Sequence, residues 1–344
     1  MAGRSKRNNM GRIKNNNNSD KSSNKNRPNI LVCFLLLVIF LFIYNSKRGT
    51  ENLRRINSVS SSSSSSNSIK NEDFALARKE SLGFFDDVSS AHWELLKKKV
   101  GDMSPNYNDW ALPHKNIETG EERGDRRNKQ MGFFYQNHYE PDFVCQHERR
   151  IGKLGDGGKW ICDPHRIVKQ EKCLVYSVGS NNDFSFETFV QKDISTNCEI
   201  HTFDFGDYAK GAKEAGGVQY HQVGVGIDNP PRFKSIKTLV KELGHENRII
   251  DVFKIDCEGC EWKTAQHWFD TSVNVTLRQI QVELHGSDIQ NTPKFFDLMY
   301  EHNYVIFHKE PNIAYPGAIE YAFLKLAPEF SKDIVRAKGA VPGE

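Results

Sequence analysis

The strongest constraint on the fold is an alternation. From residue 173 onward, short apolar runs alternate with stretches that carry the apolar period of a helix. Residues 173–178 (CLVYSV), 199–205 (EIHTFDF), 218–227, 249–256 (IIDVFKID), 278–285 (RQIQVELH), 304–308 and 319–326 (IEYAFLKL) read as strands. Residues 184–192, 235–243, 261–269 and 293–301 read as helices. A chain that returns to extended structure after each helix builds an α/β fold, a mostly parallel sheet covered on both faces. Ligands of such sheets bind outside the carboxyl ends of the strands, so the residues at those ends are the candidate site.

The first strand ends in Gly179-Ser180-Asn181-Asn182-Asp183, and the second ends at Asp204, 25 residues after Gly179. A glycine there lets the backbone approach a ligand, and an acid about 20 residues on can bind both hydroxyls of a ribose. Gly-Ser-Asn-Asn is also a common turn, so a nucleotide site and a plain turn both stand at this point.

The fourth and fifth strands end in Asp256-x-Glu258 and Glu283-x-His285. Adjacent strands would bring three carboxylates and an imidazole to one edge. Close carboxylates raise one another's pKa, which suits proton abstraction from a hydroxyl. His285 is the first candidate for the base and Asp256 the second. The same four residues carry ligand types suited to Mg²⁺ or Mn²⁺, but no metal site is expected. The competing reading makes Glu258-Gly259 a turn and Glu261 a helix cap.

Six cysteines follow residue 44 (Cys145, Cys162, Cys173, Cys198, Cys257 and Cys260), an even number that permits disulfides. Cys145 with Cys162 is the preferred pair. Cys257-x-x-Cys260 lacks a second such pair to complete four zinc ligands, and packing thiols are the favoured reading over redox chemistry.

Residues 150–167 (RIGKLGDGGKWICDPHRI), 175–187 (VYSVGSNNDFSFE), 253–262 (FKIDCEGCEW) and 282–286 (VELHG) resemble, in order and spacing, the eukaryotic methyltransferase-like family of S-adenosylmethionine-dependent enzymes. That family is similar to the FkbM-type methyltransferases, whose signature after the fourth strand reads Lys-Ile-Asp-x-Glu-Gly-x-Glu. The resemblance covers about residues 133–326. It implies a Rossmann-like seven-stranded methyltransferase sheet with S-adenosylmethionine over the first two strand ends. Gly179, Ser180 and Asn181 would line the methionine part, Asp204 would bind the ribose, and Val223 and Gly224 would lie near the adenine. Many methyltransferases carry an acid where this chain has Ser177 and a glycine where it has Asp183. Asp183 or Glu187 is the substitute acid under this reading, and each is equally a helix cap or solvent-facing group. The implied reaction is O-methylation of a hydroxyl on a glycan or other lumenal acceptor. A methyltransferase-like binding module without catalysis, and a glycosyltransferase, remain as alternatives; the latter commonly carries Asp-x-Asp, which is absent from this sequence.

The formal charge of +3 conceals two parts. Residues 1–29 carry eight Lys or Arg and one acid, which leaves −4 for everything after them. The body is therefore not expected to bind nucleic acid. Residues 30–44 (ILVCFLLLVIFLFIY) hold 15 residues without a charge. As a helix they span roughly 22 Å, short of a hydrocarbon core of ~30 Å unless the bilayer is thin and the flanking residues snorkel. A cleaved signal, a signal anchor and a buried helix compete. The long basic region before the run and the lack of small residues after it favour an uncleaved single-pass transmembrane anchor. Residues 1–29 are then a cytosolic tail, and the remainder is lumenal in the Golgi or endoplasmic reticulum. Residues 45–73 read as a disordered Ser-rich stem, 74–130 as an accessory lead-in with a helix over 91–100, 131–330 as the methyltransferase-like domain and 331–344 as a tail. Asn274-Val275-Thr276 is a glycosylation sequon.

Overall fold

The computed structural model describes residues 71–103, 135, 139–170, 172–286, 291–312, 315, 317–332 and 334. All belong to the compact unit Ile69–Glu344. The basic tail, the apolar run 30–44 and nearly all of the stem lie outside the described residues. Among the described residues, no helix is long and apolar enough to cross a membrane.

A hairpin of β1 (Glu148–Ile151) and β2 (Lys159–Cys162) comes before the strands of the main sheet. Those are β3 (Leu174–Val178), β4 (Glu199–Asp204), β5 (Val218–Gln222), β6 (Val252–Ile255), β7 (Gln279–His285), β8 (Tyr304–Pro311) and β9 (Ala318–Lys325). Their order across the sheet is β8-β9-β7-β6-β3-β4-β5. Every neighbouring pair is parallel except that β9 runs antiparallel to β7 and β8. This is the expected Rossmann-like seven-stranded sheet. The strand order reverses beside β3, and such a switch point opens a crevice at the carboxyl ends.

Both faces of the central strands are covered, as their almost wholly apolar sequences require. Tyr176, Phe203, Phe253 and Val282 point into one core. Val175, Ile200, Val252 and Leu324 point into the other. The described part of the lead-in belongs to this second core: Trp93, on the helix Ser90–Met103, is fully buried between Phe85, Phe143 and Phe330. Ser89 starts that helix by accepting the His92 backbone N–H, as the Ser-Ser pair before the apolar run suggests.

Several boundaries differ from expectation for local reasons. The strand over 249–256 breaks at Asp251, whose carboxylate accepts the Leu174 backbone N–H at 3.0 Å. The strand over 218–227 stops at Gln222, and Gly224–Val225 pairs instead with Phe233–Lys234. The helix over 261–269 is α-helical only through Thr264. The helix Ala209–Ala215 and the β1–β2 hairpin had no counterpart in the sequence reading.

Three disulfides are present among the described residues: Cys145–Cys162, the expected pair; Cys173–Cys198, which joins the amino-terminal sides of β3 and β4; and Cys257–Cys260. The last corrects the expectation of packing thiols. Glu258 (φ 57) and Gly259 (φ 98) both take left-handed backbone, and this turn brings the two cysteine Cα atoms to 5.4 Å.

Candidate active site

The carboxyl ends of β3, β4, β6 and β7 carry the residues that the sequence singles out. Gly179 has φ 74, and a Cβ there would lie 1.6 Å from the Asp256 carbonyl oxygen. Only glycine therefore allows the ends of β3 and β6 to meet. Lys254, buried on β6, secures the same corner by donating to the Gly179 carbonyl at 2.7 Å. Asn181 and Asn182 continue in left-handed backbone, which short amide side chains tolerate. Asp204 closes the loop. Its two oxygens accept the backbone N–H groups of Asn181 and Gly206, each at 2.9 Å.

Gly179, Ser180, Asn181 and Asp204 are thus brought together. The Ser180 hydroxyl is buried without a hydrogen-bond partner, a feature that fits a polar ligand lying against the loop. Asp183 and Glu187 are engaged elsewhere. Asp183 pairs with Lys153 of the hairpin loop and accepts the Ser185 backbone N–H at 3.0 Å. Burial alone would raise its pKa; the lysine and the Ser185 bonds outweigh that and lower it. Glu187 is buried and accepts from the Thr202 hydroxyl at 3.2 Å. Val223 is buried in the core, and a Cβ on Gly224 would meet the Phe233 ring at 2.7 Å.

Sequence reasoning passed over Phe205, which it placed inside a strand. Phe205 is 57% exposed beyond the end of β4, with its ring 6.3 Å from that of Phe233 and the Arg232 guanidinium over both. Its signal is an aromatic residue directly after the strand-end acid.

The second half of the site is a buried charge cluster. Glu283 on β7 faces Glu320 on β9 in register, an arrangement that like charges disfavour. The hairpin supplies the compensation. Lys159, with a side chain 1% exposed, places Nζ 3.3 Å from Asp256 and 3.4 Å from Glu283, and donates to Glu320. Asn312 donates to the other oxygen of Glu283 at 3.0 Å. Beside them, the His285 Nε2 lies 3.6 Å from Asp256, 3.6 Å from Glu258 and 3.9 Å from Glu283. Glu258 is largely exposed and forms the rim. Glu261 does more than cap a helix: fully buried, it accepts the His285 backbone N–H at 2.6 Å and faces the ring Nδ1 at 3.3 Å.

Burial alone would lower the pKa of His285. The hydrogen bond and charge of Glu261, with Asp256 and Glu283 behind it, raise it to about 9. Burial would raise Asp256, but the charges of Lys254 and Lys159 lower it. For Glu320 burial prevails over the pull of Lys159 and pushes the carboxyl up to about 8. At neutral pH the cluster therefore holds an imidazolium at His285 and a carboxylate at Asp256. The mutual repulsion of carboxylates expected from the sequence falls on Glu320, not Asp256.

Asp256, Glu283 and His285 offer three ligand atoms within 4.8 Å of one another. Lys159 already neutralises two of these residues from a buried position, so a cation there would compete with a buried ammonium. A separate polar cleft lined by Phe74, Asp87, His92, Gln146, His165 and Arg166 shares no residue with this site.

A family described as a methyltransferase domain matches residues 75–325. A human protein described as probable methyltransferase-like protein 24 is 23% identical over 172 residues, which is 43% of this chain and 46% of that protein. The chain thus matches less than half the length of that curated relative. Among solved structures, M. capricolum TrmK in complex with S-adenosyl-homocysteine is 10% identical, with a TM-score of 0.32 over 47% of this chain and 67% of that one. A Burkholderia thailandensis 1,6-didemethyltoxoflavin-N1-methyltransferase with S-adenosylhomocysteine bound is 10% identical, with a TM-score of 0.31 over 55% of this chain and all of the other.

Proposed function

The chain belongs to this methyltransferase-domain family, and we propose that it transfers a methyl group from S-adenosylmethionine to a hydroxyl oxygen of a glycan or other lumenal acceptor. One observation carries the reading: the Gly179–Asp204 loop and the Asp256–Glu283–His285 cluster share one edge of the sheet, with Gly179 packed directly on the Asp256 backbone.

S-adenosylmethionine supplies, when bound, a methyl group on a positively charged sulfur. The residues of this chain do the rest. The backbone of Gly179, Ser180 and Asn181 borders the methionine part. Asp204 takes the ribose: each carboxylate oxygen can accept more than one hydrogen bond, so the backbone bonds leave it capacity. The exposed ring of Phe205, beside Gly224, offers a flat apolar face to the adenine, whereas Val223 is buried in the core. Asp204→Ala is expected to weaken S-adenosylmethionine binding by about 1–3 kcal/mol, through loss of hydrogen bonds to a charged group. Calorimetry checks this, and unchanged affinity removes Asp204 from the site.

His285 is the proposed base, with Asp256 second. As the acceptor oxygen gains the methyl group, its proton passes to the His285 Nε2, and Glu261 holds the ring from the opposite nitrogen. The surrounding acids make His285 a stronger base but keep it protonated below about pH 9. The free imidazole falls about tenfold for each pH unit below that value, so turnover is expected to rise with pH and level off near it. A kcat profile flat from pH 6 to 9 would assign the proton to Asp256 instead.

The lumenal address draws support from three disulfides, which persist in oxidising compartments, and from the exposed sequon residue Asn274. With residues 30–44 as anchor, the chain is proposed to sit in the Golgi or endoplasmic reticulum membrane, with no nucleic-acid partner. Screening glycans and small hydroxyl compounds with a labelled methyl donor tests the reaction. Donor binding without transfer to any acceptor would favour a binding module without catalysis.

A further inference from the structure

We propose that Glu199, His201 and His245 form a zinc-type metal site at the amino-terminal edge of the sheet. The place is distinct from the proposed methyl-transfer site: Glu199 opens β4, whereas Asp204 closes it. Glu199 and His201 are two apart on β4 and therefore share a face. His245 arrives from the loop after the helix Ile236–Glu242. The Nε2 atoms of His201 and His245 each lie 3.0 Å from the same Glu199 oxygen, Oε1, and the three ligand atoms lie within 4.8 Å of one another. Two imidazoles and a carboxylate are a donor set suited to zinc and its neighbours.

A second observation points the same way. The outer nitrogen of each imidazole already has an orienting partner, as metal-bound histidines normally do. His201 Nδ1 meets the His221 Nε2 at 2.8 Å, and His245 Nδ1 meets the Tyr176 hydroxyl at 2.7 Å. Both rings are thus held with Nε2 turned toward Glu199. The other charged or polar groups facing the cluster are Arg248, which binds the far Glu199 oxygen at 2.6 Å and leaves Oε1 available, and Gln219, 3.4 Å from the His201 Nε2. Both histidines are buried, whereas the Glu199 side chain is 35% exposed and gives an ion a way in.

Protonation states agree with this geometry. Burial lowers the pKa of His201 and of His245, and with the neighbouring His201 it lowers His221 to about 4. Burial alone would raise Glu199, but hydrogen bonds from Arg248 and His201 bring it to about 2. At neutral pH the cluster presents neutral imidazoles and an ionised carboxylate, the forms that bind metal. A bound ion would tie the loop bearing His245 to the edge of the sheet.

The test loads the purified full chain, in detergent, with zinc chloride, then dialyses it and measures retained metal and the thermal midpoint. The expected result is one zinc per chain, a midpoint that falls on chelation, and affinity that drops with falling pH as the histidines protonate. Glu199→Gln and His245→Gln should each weaken zinc by at least about tenfold, whereas His285→Gln at the other strand end and the exposed His267→Gln should leave it unchanged. Substoichiometric zinc in the unsubstituted chain would overturn the proposal, a result that needs no variant to fold. Zinc retention unaffected by Glu199→Gln or His245→Gln, or lost in His285→Gln, would overturn it equally.

Discussion

Lys159→Met is expected to destabilise the folded domain by about 3–5 kcal/mol at neutral pH, the cost of leaving buried charge without its partner. The ammonium is the common neighbour of Asp256, Glu283 and Glu320, and two of these acids face each other across β7 and β9. Without it the buried acids Asp256 and Glu283 lose their cation, whereas Glu320, pushed up to about 8, is already mostly protonated at pH 7. Protonation at acidic pH is the relief that remains, and Asp256, whose carboxyl the lysine charges hold low, is where it would act. Urea unfolding should therefore show a smaller loss at acidic pH than at pH 7. Pairing Lys159→Met with Glu283→Gln should recover part of the stability, because the second change removes one of the acids left without a partner. A loss below about 1 kcal/mol for Lys159→Met would place Lys159 among solvated surface pairs and contradict its role.

The second large effect falls on turnover. His285→Asn keeps a polar side chain of similar reach but removes the base, and kcat is expected to fall by about 10²–10⁴. Affinity for S-adenosylmethionine should change little, because Gly179, Asn181 and Asp204 do not touch the imidazole. The rise of turnover with pH should vanish with it. The comparison of kcat with affinity separates chemistry from folding: equal losses in both would mean that the variant disturbs the Glu261 and β7 packing rather than proton transfer. Asp256→Asn is a harsher change, since the Asp256 backbone supports Gly179 and its side chain pairs with Lys159.

Much of this arrangement was legible in the sequence, for identifiable reasons. Apolar alternation placed the main-sheet strands to within a few residues, and strand-end glycine and acids marked the crevice. Gln279, Gln281, Glu283 and His285 alternate with Ile280, Val282 and Leu284, which showed a strand with one polar face but not what covered it. The cover is the β1–β2 hairpin, and its Lys159 follows two glycines in a charged stretch that reads as surface. Nothing local marks that lysine as buried; only the register of β7 against β9 creates the need for it. Glu320 was hidden for the same reason, a single acid within IEYAFLKL whose partner is 37 residues earlier in the chain. Glu261 was read as a cap because its helix starts there, whereas the turn at Glu258 and Gly259 swings its carboxylate under His285. The Cys257–Cys260 bond depends on that same turn, which the residue types alone did not specify.

Calorimetric titration of the purified chain with S-adenosylmethionine tests the central claim most directly. Saturable heat at one site per chain, weakened in Asp204→Ala and preserved in His285→Asn, is the predicted result. No detectable binding by the folded chain would contradict the assignment of this strand-end crevice as a methyl-donor site.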